Sequence, residues 1–191
     1  MNDGDVGPVL PASLHQGIAD VLPTRLEFYE GWISPQAMRD RRIGPAALNA
    51  VLSFLRQEGE AYGLVTARAG EYTADWTLAD MTAFERLWSR APAWLRARLV
   101  SRLIRRLTSE TARQSRAKVR WRGAVGTVEI ASSFFCSSVR EPAKGALCVY
   151  YAAAMQRLLD RVGLPGRVTP AQCRASGADR CVLTVSGEPS S

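Results

Sequence analysis

Lysine and histidine are scarce in this sequence. Lys118 and Lys144 are the only lysines among 25 cationic side chains, and His15 is the single histidine. A Ser-His-Asp or Cys-His catalytic arrangement would have to be built on His15, which lies in a proline-punctuated stretch where an exposed or capping role is the ordinary one. P-loop, glycine-rich dinucleotide and H-E-x-x-H patterns are absent, so nucleotide, hydride-carrier and zincin chemistries have no visible seat. The longest uncharged apolar run, 145–155, is far short of the roughly 20 residues that span a bilayer. The opening Met1-Asn2-Asp3-Gly4-Asp5 carries acids where a secretory signal would be basic. The expectation is a cytoplasmic protein with no membrane span and no catalytic residues of a familiar kind.

What is present fits one well-cored globular domain: 191 residues, 47% hydrophobic and 23% charged. The net charge of +7 is unevenly placed. Between Arg86 and Arg122 stand 12 cations and one acid, Glu110, a local +11 that leaves −4 for the rest. A solvated face on an amphipathic helix accounts for this segment. A nucleic-acid or other anionic partner is the alternative, although no recognition-helix pair is visible and nucleic acid is not expected.

Periodicity orders the chain. Residues 1–40, with Pro8, Pro11, Pro23 and Pro35, are expected to be an irregular arm with one helical turn near Ser13–Val21 and an aromatic cluster, Phe28, Tyr29 and Trp32, packed down. Residues 41–187 form a single domain. Pro45 opens a helix through Leu48, Val51, Leu52 and Leu55 that ends at Gly59 or Gly63. An extended piece, Leu64–Thr66, leads to a helix from about Thr77 with Asp80 in its first turn and a stripe of Phe84, Leu87 and Trp88. Beyond Pro92, Leu95, Leu99, Leu103 and Leu107 mark a longer helix. Val119 to Ile130 predicts a hairpin turning at Gly123 or Gly126. After a loop at Pro142 and Gly145, a buried helix runs from Leu147 to Val162. A terminal hairpin pairs Arg167–Cys173 with Cys181–Val185 across Gly177-Ala178-Asp179. The fold class is α+β, helices packed on an antiparallel sheet.

Four cysteines, Cys136, Cys148, Cys173 and Cys181, occupy the C-terminal third. A helix start and a hairpin can gather three thiols, a tetrahedral metal site if a fourth ligand exists. On spacing alone, buried free thiols are the commoner alternative. Trp94, Trp121, Phe134, Phe135, Tyr150, Tyr151 and Met155 either line an apolar pocket or fill the core.

Lys144-Gly-Ala-Leu-Cys148-Val-Tyr-Tyr, followed by Arg167-Val-Thr-Pro-Ala-Gln-Cys173-Arg-Ala-Ser-Gly177-Ala-Asp-Arg-Cys181-Val-Leu-Thr-Val185, resembles the C-terminal half of the 4-vinyl reductase domain family. The resemblance covers about residues 120–185, and 43–63 loosely. It implies a TRAPP-subunit-like fold, similar to small bacteriochlorophyll-biosynthesis proteins and to sensory domains of phenol-responsive activators. In those sensors three cysteines and a carboxylate hold zinc beside an aromatic-ligand pocket. Carried over, Cys148, Cys173 and Cys181 are the zinc ligands, while the carboxylate position, three residues before the second cysteine, is Pro170. Cys136 is the natural replacement and Glu141 a second candidate. The implied function is non-catalytic: a carrier or sensor domain, homodimeric by analogy, for a hydrophobic aromatic or tetrapyrrole-like molecule held near Trp94, Trp121, Phe134, Tyr150, Tyr151 and Met155. An enzyme acting on a tetrapyrrole vinyl group, with its reductant supplied by a partner, is the alternative.

Overall fold

Helices account for most of the chain in the computed structural model, which describes residues 6–88, 90–137, 142–143 and 145–187. The elements run α1 (Val9–Val21), α2 (Leu26–Ile33), α3 (Pro35–Arg39), α4 (Pro45–Gln57), α5 (Glu60–Ala79), α6 (Ala83–Trp88), α7 (Ala93–Thr111), β1 (Arg116–Arg122), β2 (Val125–Ala131), α8 (Phe134–Ser137), α9 (Val149–Val162), β3 (Arg167–Gln172) and β4 (Cys181–Ser186). The strands form one antiparallel sheet in the order β1-β2-β4-β3. The architecture is the α+β class expected.

Alternation decides which sheet face is buried. Val128 and Ile130 of β2 stand opposite Leu183 and Cys181 of β4, and all four are fully buried. Their side chains share one face because successive strand residues point to opposite sides. The helices α7 and α9 pack on the sheet, α5 packs on α9, and α1 packs on α5. The β1–β2 hairpin closes over two residues, with Gly123 at φ 60°, the left-handed conformation that glycine adopts at least cost. Opposite the Trp121 indole stands Gly126, where a β-carbon would come within 2.8 Å of the ring. Pro170 sits on the edge strand β3, where its missing N–H matters least, beside a register shift between Pro170 and Gln172.

Three local expectations need correction. The stretch read as an irregular arm folds into α1, α2 and α3, and Leu10, Leu14 and Ile18 of α1 are fully buried in the common core. Its prolines lie at helix starts and in first turns, where no intrahelical N–H is lost. The aromatic cluster is present, with Phe28 and Trp32 rings 5.0 Å apart and Tyr29 fully buried. Secondly, Leu64–Thr66 is not extended, and no helix begins near Thr77. The helix α5 is continuous and Asp80 is its C-cap. Beyond Tyr62 its buried stripe is made of smaller residues (Val65, Thr66, Ala69, Gly70, Thr73, Ala74, Thr77), which carry little of the hydrophobic signal that marks an amphipathic helix. Thr66, Thr73 and Thr77 donate to carbonyls one turn back at 2.7, 3.1 and 2.8 Å, so their hydroxyls are satisfied inside an apolar layer. Thirdly, α6 does not bury Leu87, which is 65% exposed, because six residues make too short a helix to present a full stripe. The Phe84 side chain lies outside the described residues.

Small residues on α5 let the helices approach closely. A β-carbon on Gly70 would lie 2.2 Å from the Tyr150 carbonyl oxygen of α9. Gly70→Ala should therefore cost about 3 kcal/mol in forced displacement, offset by about 1 kcal/mol of helix propensity. Urea denaturation should report a net loss near 2 kcal/mol. An unchanged or raised midpoint would show that α5 and α9 are not in this contact.

Candidate metal centre

Four different local structures bring the cysteines together. Cys136 lies on α8, which follows Ser132, a non-glycine residue at φ 55°, and the buried Ser133. Cys148 is the N-cap of α9. Cys173 ends the run of β3 and opens a 3-10 turn, Arg174–Ser176, which closes at Gly177 with φ 94°. Cys181 is the first residue of β4, paired with Ile130 of β2. None is in a disulfide, and all four are buried.

The Cys136 sulfur lies 3.5 Å from that of Cys173 and 3.5 Å from that of Cys181. The three sulfurs lie within 4.8 Å of one another, a group that could hold a metal ion. Thiolates bonded at about 2.3 Å to a tetrahedral ion stand about 3.8 Å apart, so this spacing is close to that of a metal-thiolate cluster. Cys148 is the outlying member, buried but outside the mutually close trio. Among the described residues, no histidine or carboxylate joins that trio.

Charge is shared unevenly among the thiols. Cys181 is held well below the ordinary cysteine range, first by its hydrogen bond with Cys136 and then by that with Cys148. Cys136 and Cys148 are pushed up, first by the same bonds to Cys181 and then by burial. Donors also approach the sulfurs from outside the cluster. The Leu147 backbone N–H donates to Cys173 Sγ at 3.4 Å, the Ser133 hydroxyl to Cys136 Sγ at 3.6 Å, and the Arg174 backbone N–H favours the Cys181 thiolate. Such donors stabilise negative sulfur, the form that ligates metal.

Outer contacts hold the supporting loops. Arg56 Nη2 donates to the Phe135 carbonyl at 3.1 Å, tying α4 to α8, and Tyr62 donates to the Leu147 carbonyl at 3.1 Å beside Cys148. The Ala143 N–H reaches the Ala175 carbonyl at 2.6 Å, joining the loop before α9 to the turn after Cys173. Sequence reasoning singled out all four cysteines but missed Ser133, Arg56 and Tyr62, for which no spacing signal exists. Glu141, the alternative ligand, lies outside the described residues. Pro170 is exposed on β3.

The six residues expected to line a ligand pocket are not brought together as a set. Tyr150, Tyr151 and Met155 are fully buried on α9, and Phe134 is nearly so. Phe135 stacks on Tyr150 at 4.6 Å and meets Tyr151 edge-on at 5.7 Å, while the Tyr150 hydroxyl lies 2.6 Å from Thr73 Oγ1. That is core packing. Trp121 sits at the sheet edge, donating to Ser101 Oγ at 2.8 Å, and Trp94 is 63% exposed near the start of α7. His15 Nε2 lies 2.8 Å from Glu30 Oε1, a link between α1 and α2. Arg98, Arg102 and Arg105 share the outer face of α7, opposite the buried leucines. Among the described residues, no helix is long and apolar enough to cross a membrane.

No protein-family profile matches the chain, and no curated protein sequence matches it significantly.

Proposed function

We propose that the chain is a small-molecule-binding module whose C-terminal hairpin is held by one structural zinc ion on Cys136, Cys148, Cys173 and Cys181. The convergence of four buried thiols from α8, the start of α9, the β3–β4 turn and β4 carries this reading. Zinc suits an all-sulfur tetrahedral donor set, and in a closed site it contributes folding free energy while leaving no position for a reacting water. The cysteines do the positioning: Cys181 anchors β4, Cys173 the turn, Cys148 the start of α9 and Cys136 the short α8. Its resemblance to 4-vinyl reductase domains supports a carrier or sensor role for a hydrophobic aromatic or tetrapyrrole-like ligand, with the chain acting as a homodimer and without catalysis. Native mass spectrometry tests this, with one zinc per chain and a dimer expected. A metal-free monomer would overturn it.

Cys136 takes the place that Pro170 cannot fill. Cobalt substitution reads this directly, because sulfur-to-metal charge-transfer absorption grows with each coordinating thiolate. Cys136→Ser is expected to lower that absorption by about a quarter, one thiolate of four. An unchanged spectrum would make Cys136 a core residue only.

A further inference from the structure

A cleft of about 460 Å³ opens where β1 and β2 meet the turn that joins Cys173 to Cys181. Arg116, Lys118, Arg174 and Arg180 face it, against two acids, Glu129 and Asp179. Glu129 is already engaged, with Arg120 Nη1 at 2.8 Å and Arg180 Nη1 at 3.1 Å. Among the described residues, Arg116, Lys118 and Arg174 make no ion pair with a carboxylate. Four cations against two acids leave the cleft net positive, and a net positive cleft concentrates anions. Between them the exposed Ala131 lies open, while Ala117 and the fully buried Ile130 turn to the inner face of the sheet. The volume falls within the range of sites for small organic ligands, about 300–1,000 Å³.

Its walls are rigidly placed by the neighbouring thiols. Arg174 follows Cys173 and Arg180 precedes Cys181, so the turn carrying both guanidiniums is pinned at each end. On the opposite wall stands Ser132, held at φ 55° one residue before the serine that donates to Cys136. A non-glycine residue kept in that conformation costs on the order of 1–3 kcal/mol and concentrates at functional sites.

We infer that this cleft binds an amphipathic oxyanion, its apolar body against Ala131 and its carboxylate or phosphate facing Arg116, Lys118 and Arg174. This rests on the reading of the chain as a small-molecule-binding module and adds the chemistry of the ligand. Guanidinium forks match both oxyanions in geometry, whereas a neutral aromatic ligand would leave the three cations without a partner.

The test is calorimetric titration of the full chain as isolated with phenyl phosphate, benzoate, inorganic phosphate and benzyl alcohol. Phenyl phosphate or benzoate should bind, the stronger of the two identifying the oxyanion. Inorganic phosphate, lacking the apolar body, and benzyl alcohol, lacking the charge, should each bind about tenfold or more weakly. Affinity should fall as salt rises. Arg174→Ala and Lys118→Ala, both exposed positions, should each weaken the oxyanion by about tenfold while circular dichroism and metal content stay unchanged. Absence of binding by both oxyanions, or binding untouched by both variants, would overturn the inference. Benzyl alcohol bound as tightly as phenyl phosphate would also overturn it and leave the binding-module reading standing. Oxyanion binding by a metal-free protein would support the inference and sink the zinc proposal instead.

Discussion

Cys181→Ser is expected to release the metal and to remove most of the stability of the fold. Cys181 is fully buried at the start of the central strand β4, 3.5 Å from Cys136. Its sulfur lies within 4.8 Å of those of both Cys136 and Cys173. Structural zinc contributes an apparent 10–16 kcal/mol or so in small thiolate sites, while a domain of this size has a net stability of about 5–15 kcal/mol. Losing one of four ligands therefore takes away a large part of the total. Serine is close to cysteine in volume, so cavity formation adds little. Thermal unfolding should show a fall of tens of degrees or no cooperative transition at all, and the wild type stripped by chelator should behave alike. A loss below about 1 kcal/mol, the scale of an ordinary buried hydrogen bond, would show that the thiols only fill space.

Phe135→Ala is the second large effect. Phe135 is fully buried, stacks on Tyr150 and meets Tyr151 edge-on, and its carbonyl is the acceptor for Arg56. Truncating a buried phenylalanine costs about 3–5 kcal/mol, with the spread set by how far the site collapses. Here the loss has a second consequence. The helix α8 is only four residues long, and Cys136 is the residue after Phe135, so the ring anchors that ligand together with the Ser133 and Arg56 bonds. Chelator competition should strip metal from the variant faster than from wild type, in addition to the fall in denaturant midpoint. Reduced stability with unchanged metal release would separate the aromatic core from the centre. Unchanged stability would contradict the packing itself.

Legibility followed the strength of the local signal. The leucine stripe of α7, the β1–β2 hairpin around Gly123, the helix α9 stopped at Gly163 and the terminal hairpin were all readable, because each has large apolar residues at the right period or a glycine where the turn needs one. The helix α5 was not, because its buried face beyond Tyr62 and Val65 is alanine, glycine and threonine, and Gly63 and Gly70 look like breaks until α9 is seen lying against Gly70. The helices α1 to α3 were missed for a related reason: four prolines suggest loops, although they fall at or near helix N-termini. At the candidate centre the cysteines stood out by rarity. Which of them lie closest depended on the placement of α8, a tertiary fact with no periodic trace. The aromatic residues on α9 looked the same as pocket or as core, and in the fold they are fully buried against Phe135.

X-ray absorption at the metal edge, on protein purified without chelator, tests the central claim most directly. The account predicts one zinc per chain whose first shell is four sulfurs at about 2.3 Å. Protein that carries no metal and in which all four thiols titrate freely, or a bound metal whose first shell is oxygen or nitrogen, would contradict it.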